Sequence, residues 1–137
     1  MITLQKIIFY KSDEIKKIEE NCFKNGMPVA ALMEKAGIKS ASLFKKIYPK
    51  NKYSKVVILV GPGHNGGDAL VVARELLLSG YKTYIYLVDK KLKELTENHL
   101  NYYLFLGGLI LDNPEDINKV DVIVDGLFGF GLKKILE

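Results

Sequence analysis

The chain has 137 residues, 48% of them hydrophobic and 26% charged, which falls in the globular range and allows one domain with a packed core. No apolar run approaches the roughly 18 residues of a membrane span, and residues 1–11 lack the long apolar stretch and small-residue cleavage site of a secretory leader, so the expectation is a soluble, cytoplasmic protein without membrane association. Cys22 is the sole cysteine and rules out an internal disulfide or a multi-thiolate metal site, while the net charge of +4 rests on lysines spread among acids with Arg74 as the sole arginine, a poor basis for nucleic-acid recognition.

In chain order, Ser12-Asp13-Glu14 supplies a helix start, Ile15, Ile18, Cys22 and Phe23 recur at helical spacing, and Gly26 stands where the segment ends. Pro28 opens a second helix whose stripe is Leu32, Met33, Ala36, Phe44 and Ile47, closing at Tyr48-Pro49. Two helices therefore precede any sheet. Val56-Val57-Ile58-Leu59-Val60 is a continuous apolar, largely β-branched run, the mark of a parallel strand covered on both faces. A glycine-rich loop follows, then a helix over 70–78 stopped at Gly80, a strand over 83–88, a helix over 92–106 ending at Gly107-Gly108, and short strands over 109–111 and 120–124. Strands and helices alternating at this length predict an α/β fold, a Rossmann-like three-layer sandwich with a mostly parallel sheet preceded by two N-terminal helices. No repeat, low-complexity segment or linker divides residues 1–137, so a single domain is expected.

In doubly wound sheets the first strand is central and the chain builds outward on one side before returning to the other. The strand ending at Val124 then lies beside the one ending at Val60, and Asp125 reaches the crevice where the glycine loop Gly61-Pro62-Gly63-His64-Asn65-Gly66-Gly67-Asp68 opens. The loop satisfies G-x-G-x-x-G between a strand and a helix, and Asp89 stands where a ribose-binding acid is expected, so an ordinary NAD-dependent Rossmann enzyme is one reading. Asp68 opposes it. At the start of a helix its carboxylate competes with a pyrophosphate for the same N–H groups, although it also suits a helix cap. The loop lacks the lysine of a P-loop, and no G-x-S-x-G elbow is present. The oxygen of Asn65 facing the Asp125 carboxylate suits a hard cation, with a tight Asn-Gly turn as the plainer role for Asn65. The glycines after Asp125 let a ligand approach backbone N–H groups, and the plain alternative for Asp125 is a hydrogen bond to the next loop. His64 sits in the loop; His99, amid Leu95, Leu100 and Tyr103, reads as a surface or packing residue.

Three blocks resemble one known family. Met27-Pro28 with Leu32-Met33-Glu34-Lys35-Ala36-Gly37, the loop and helix of residues 61–74, and Val124-Asp125-Gly126-Leu127-Phe128-Gly129-Phe130-Gly131 are similar to the N-terminal domain of the YjeF type, whose characterised enzymes epimerise NAD(P)HX, the hydrated form of NAD(P)H. The resemblance implies an NAD(P)HX epimerase, an isomerase of nicotinamide-nucleotide repair that acts with, or is fused to, an NAD(P)HX dehydratase. It implies a potassium ion held by Asn65 and Asp125, Asp125 also being the catalytic acid–base. It implies substrate contacts from His64, Asn65, Gly66, Gly67 and Asp68, and from Gly129, Phe130, Gly131, Leu132, Lys133, Lys134 and Ile135. Related domains also serve as non-catalytic dimeric scaffolds that bind nucleotide or protein, which makes a homodimeric scaffold the alternative. Two positions depart from the family's Asn-Asn-Gly-Gly-Asp-Gly loop: His64 replaces the first Asn and Ala69 the last Gly. Family members continue into a further strand and an Asp-x-Pro-Ser-Gly loop that adds site residues, so residues 1–137 are expected to form a domain truncated at its C-terminal end.

Overall fold

The computed structural model describes residues 5–8 and 13–127. Its frame is a parallel five-stranded sheet made of β1 (Gln5–Ile8), β2 (Lys55–Val60), β3 (Lys82–Leu87), β4 (Leu109–Ile110) and β5 (Val122–Gly126), in the order β1-β5-β2-β3-β4. The helices are α1 (Asp13–Lys24), α2 (Val29–Ile47), α3 (His64–Leu78) and α4 (Glu94–Phe105), and a 3-10 helix spans Pro114–Lys119. β2 is central, and Val56, Val57, Ile58 and Val60 are fully buried, as an apolar run with no polar alternation requires.

One strand was not expected. Gln5–Ile8 pairs with β5 from Gln5↔Val122 to Ile8↔Asp125, so a strand precedes the two N-terminal helices, and β5 lies inside the sheet. Four residues carry too little pattern to mark a strand by themselves; β1 exists because β5 offers it an open edge. β5 also runs two residues later than the apolar pattern suggests. Its approach is fixed first by Asp121, whose N–H donates to the Lys55 carbonyl at 2.9 Å while its carboxylate accepts the Lys55 N–H at 3.1 Å.

α3 packs between α2 and α4 and against β2, β3 and β5. The main core lies beneath it, joining Phe44 of α2, Leu70, Val72 and Leu76 of α3, Ile58, Ile85 and Val124 of the sheet, and Tyr103 of α4. Gly80, at φ +92°, turns the chain from α3 into β3 in a conformation open to glycine. On the other face Val57, Val120 and Ile123 form a smaller cluster with Leu59, Tyr84, Tyr86, Leu111 and Ile117. Among the described residues, the element that covers this face is the 3-10 helix with its flanking segments. Tyr103 is fully buried and ties the edge strand on: its hydroxyl accepts the Leu109 N–H and donates to the Leu109 carbonyl, both at 3.1 Å, with Thr83 Oγ1 3.3 Å away. Burial pushes this phenol above its ordinary pKa.

Candidate functional site

From β2 the chain passes through Gly61-Pro62-Gly63 and enters α3 at once. The helix begins at His64, six residues before the expected start at Leu70, so His64, Asn65, Gly66, Gly67 and Asp68 form its opening turn. Gly63 is the N-cap, in extended conformation and with no side-chain cap bond. Its carbonyl takes the N–H groups of Gly66 at 3.1 Å and Gly67 at 3.3 Å. The capping role expected for Asp68 is therefore not the one it has. It stands inside the helix, 1% exposed, where it lines a cleft of about 30 Å³ with Glu19 and Phe23 of α1, Val29 and Met33 of α2, and His64.

The placement of Asp125 follows the doubly wound rule. β2 and β5 are neighbours in the register Leu59↔Asp125 and Val60↔Gly126, and the chain leaves β2 toward β3 but returns to β5 on the other side. The crevice between their carboxyl ends is thus the switch point of the sheet, where open α/β folds bind ligands. Asp125 is 2% exposed, and its Oδ1 accepts the Leu127 N–H at 3.1 Å, so the plain role of binding the next loop is present. Asn65, half-buried, lies close by: its backbone carbonyl is 3.4 Å from where a Gly126 Cβ would stand.

Gly126, the one described glycine of those expected to open backbone to ligand after Asp125, serves close packing instead, as do Gly61 and Gly66 of the turn. A Cβ on Gly66 would collide with the Gly61 carbonyl, one on Gly61 with the Leu127 carbonyl, and one on Gly126 with Ala69 Cβ. The Gly61 N–H donates to the Gly126 carbonyl at 3.1 Å. Missing side chains here let the turn, the first turn of α3 and the end of β5 close on one another. Gly63 alone of the loop glycines borders open space, with no heavy atom within 4 Å of its Cβ position.

Of the remaining candidates, His64 stays with the opening turn, and Asp89, Arg74 and His99 lie apart from the crevice. His64 is exposed at the head of α3. Asp89 is exposed, and its Oδ1 accepts the Lys91 N–H at 3.0 Å, a local turn contact that gives the ribose role no support. Arg74 is far along α3: it grips Glu34 of α2 through both terminal nitrogens, bonds Glu75 from Nε at 3.1 Å and lies 6.0 Å from the Tyr102 ring. That grip holds the Glu34 carboxyl below its ordinary pKa against the opposing effect of burial. His99 is half-buried near the pair, and burial lowers its pKa, with Glu34 opposing and Arg74 reinforcing; this packing role is the expected one. Gly129, Phe130, Gly131, Leu132, Lys133, Lys134 and Ile135 lie outside the described residues.

Sequence reasoning passed over Thr96, whose hydroxyl donates to the Gly63 carbonyl at 2.8 Å; a single threonine in a helix of mixed character gives no signal. It also missed Glu19 and Phe23 as neighbours of the opening turn, because only the tertiary fold brings α1 there. Among the described residues no cluster of three or more His, Cys, Asp or Glu side chains is placed to hold a metal ion. An alkali cation needs a different set, built from carbonyl, amide and carboxylate oxygens, and Asn65 beside Asp125 fits that chemistry.

These features define a Rossmann-like α/β domain whose crevice joins a buried strand-end carboxylate to a glycine turn at a helix amino terminus. The family model described as YjeF-related protein N-terminus matches residues 29–137, and the chain belongs to that family. A bifunctional NAD(P)H-hydrate repair enzyme Nnr from Thermosynechococcus vestitus is 47% identical over 123 residues, which are 90% of this chain and 24% of that protein. An NAD(P)H-hydrate epimerase from Caenorhabditis briggsae is 36% identical over 135 residues, 97% of this chain and 56% of that protein. The crystal structure of the yeast protein ynu0, YNL200c, superimposes with a TM-score of 0.77 at 28% identity, covering 89% of this chain and 57% of that one. The chain spans about a quarter of the length of the bifunctional relatives. No described helix is long and apolar enough to cross a membrane.

Proposed function

We propose that this domain interconverts the R and S hydrates of NADH and NADPH. The observation that carries the reading is the buried Asp125 carboxylate, at the switch point of the sheet and against the glycine turn, in a chain whose relatives are named for this reaction. Inversion at the hydroxyl-bearing ring carbon requires the hydroxyl to leave and water to return on the opposite face. An acid must protonate the departing oxygen as the C–O bond breaks and the ring nitrogen lone pair stabilises the cationic carbon; the conjugate base then takes a proton from the water that adds. We assign this proton transfer to Asp125. Its bond to the Leu127 N–H fixes the carboxyl group, and burial in the crevice keeps bulk water from the transfer.

Asn65 and Asp125 would hold a potassium ion, which when bound supplies fixed positive charge for the anionic parts of the substrate. A carboxylate has two oxygens and about four lone-pair sites, so Asp125 serves both as ligand and as acid–base. His64 to Asp68 would face the substrate from the opening turn of α3, and Gly129 to Ile135 would add further substrate contacts. In the cell the product S hydrate would pass to an S-specific dehydratase, consistent with relatives named bifunctional, and a cytoplasmic setting suits both the nicotinamide pool and the single Cys22 thiol. The test is epimerisation of R-NADPHX, coupled to an S-specific dehydratase, in potassium and in sodium. Activity should require potassium and fall by roughly 10²-fold or more in Asp125→Asn, the usual worth of an acid–base group. Parental activity in Asp125→Asn removes the residue from the mechanism; an inactive parent that still self-associates favours the non-catalytic homodimeric scaffold.

A further inference from the structure

Thr96 lies in the first turn of α4 and is fully buried, 0% exposed. Threonine is a middling helix former, so propensity gives no reason for it there. Its hydroxyl donates to the Gly63 carbonyl at 2.8 Å, and three residues earlier the Lys93 N–H donates to the Pro62 carbonyl at 2.9 Å. The amino end of α4 thus takes the Pro62 carbonyl of the turn between β2 and α3 and shares the Gly63 carbonyl with the Gly66 and Gly67 N–H groups. A trans peptide directs its N–H opposite to its C=O, and no cis peptide occurs among the described residues. Holding the Pro62 and Gly63 carbonyls on α4 therefore turns the N–H groups of Gly63 and His64 away from α4.

The space around the turn agrees with this division. Gly63 borders open space, whereas a Cβ on Gly67 would stand 2.5 Å from Met33 Sδ and 3.3 Å from Thr96 Oγ1. Gly67 is bare so that Met33 and Thr96 can close over the back of the turn, and Gly63 is bare on its front. We propose that Thr96 is a positioning residue for substrate binding: its hydroxyl, together with the Lys93 N–H, sets two peptide planes so that the Gly63 and His64 N–H groups face the crevice as a donor pair for a phosphate oxygen of the bound nucleotide. Thr96 does not touch the substrate. It rests on the epimerase reading only in naming a nucleotide as the ligand.

Thr96→Val removes the hydroxyl at nearly constant shape, Thr96→Ser keeps it, and Thr96→Ala provides a second hydroxyl-free variant. Two readouts are taken on each: KM and kcat for R-NADPHX, and the amide resonances of Gly63 and His64 in the ligand-free protein. Loss of the hydroxyl should raise KM about tenfold, leave kcat within about twofold and move both resonances, while Thr96→Ser stays within about threefold of the parent and leaves them in place. A threonine that only packs α4 would lower kcat through the folded fraction, at parental KM and equally in all three variants, and that result overturns the proposal. So do unmoved Gly63 and His64 resonances in both hydroxyl-free variants. A parent without epimerase activity defeats the functional reading alone, and the resonances then decide the role of Thr96.

Discussion

Gly126→Ala tests the packing that joins the carboxylate strand to the glycine turn. A Cβ at this position would stand 2.9 Å from the Leu59 carbonyl oxygen and closer still to Ala69 Cβ. Carbon atoms rest at about 3.5–4.0 Å from one another, so β5 and α3 would have to part by roughly 1 Å. Neither neighbour is a flexible side-chain end: one is strand backbone and the other is a methyl on the first turns of a helix. Forced overpacking of this kind costs about 1–3 kcal/mol. Ala69→Gly opens the space but places a glycine inside a helix, at about 1 kcal/mol. The double variant should therefore be more stable than the sum of the two changes, by about 1 kcal/mol or more in a double-mutant cycle read by urea denaturation. Epimerase activity should follow the same order, because the displaced strand end carries Asp125. Additive losses to within about 0.5 kcal/mol, or a Gly126→Ala protein as stable as the parent, would refute the close packing of β5 on α3.

Tyr103→Phe keeps the ring and removes the hydroxyl that bonds both main-chain groups of Leu109. It should cost about 1–3 kcal/mol in denaturant unfolding and speed hydrogen exchange at Leu109; an unchanged exchange rate there would show that β4 does not depend on the bond. Acid should destabilise the protein in two steps. The folded pKa of His99 lies below its ordinary value, so its contribution is present above about pH 6.5 and is lost as pH falls through the folded value; Glu34 behaves likewise below about pH 4.5. His99→Gln should abolish the first step in a series of thermal melts and leave the second, and a first step that persists would assign it to another group.

The central half of the fold was legible because its signals are local. Val56 to Val60 can be little other than a covered parallel strand, and the winding rule alone sets Asp125 beside the turn after Val60. What escaped depended on distant partners. β1 exists through its pairing with β5, at the other end of the described chain, and Thr96 acquires meaning only when α4 reaches the Gly63 carbonyl. The start of α3 was misplaced for a sharper reason. Asn65-Gly66-Gly67 reads as a turn, and two glycines in a first helical turn each cost about 1 kcal/mol against alanine. Tertiary packing overrides that preference, since Gly66 must pass the Gly61 carbonyl and Gly67 must admit Met33 and Thr96.

The same contacts explain why the G-x-G-x-x-G spacing points toward a dinucleotide site of the ordinary kind and yet builds something else. In that fingerprint the second glycine lets a pyrophosphate approach the helix terminus, and the third lets helix and strand close up. Here Gly63 keeps the first of these roles open, and Gly66 keeps the second. Asp68 is the departure. It is buried one turn into α3, against Met33 and beside the α1 residues Glu19 and Phe23, so the opening turn has an acidic side facing α1 as well as the crevice side facing Asp125. A cation between Asn65 and Asp125 would offset the negative charge that this arrangement accumulates near an anionic nucleotide. On the proposed epimerase reading, the glycine pattern marks where the nucleotide would approach, and Asp125 would supply the acid–base group that the reaction needs.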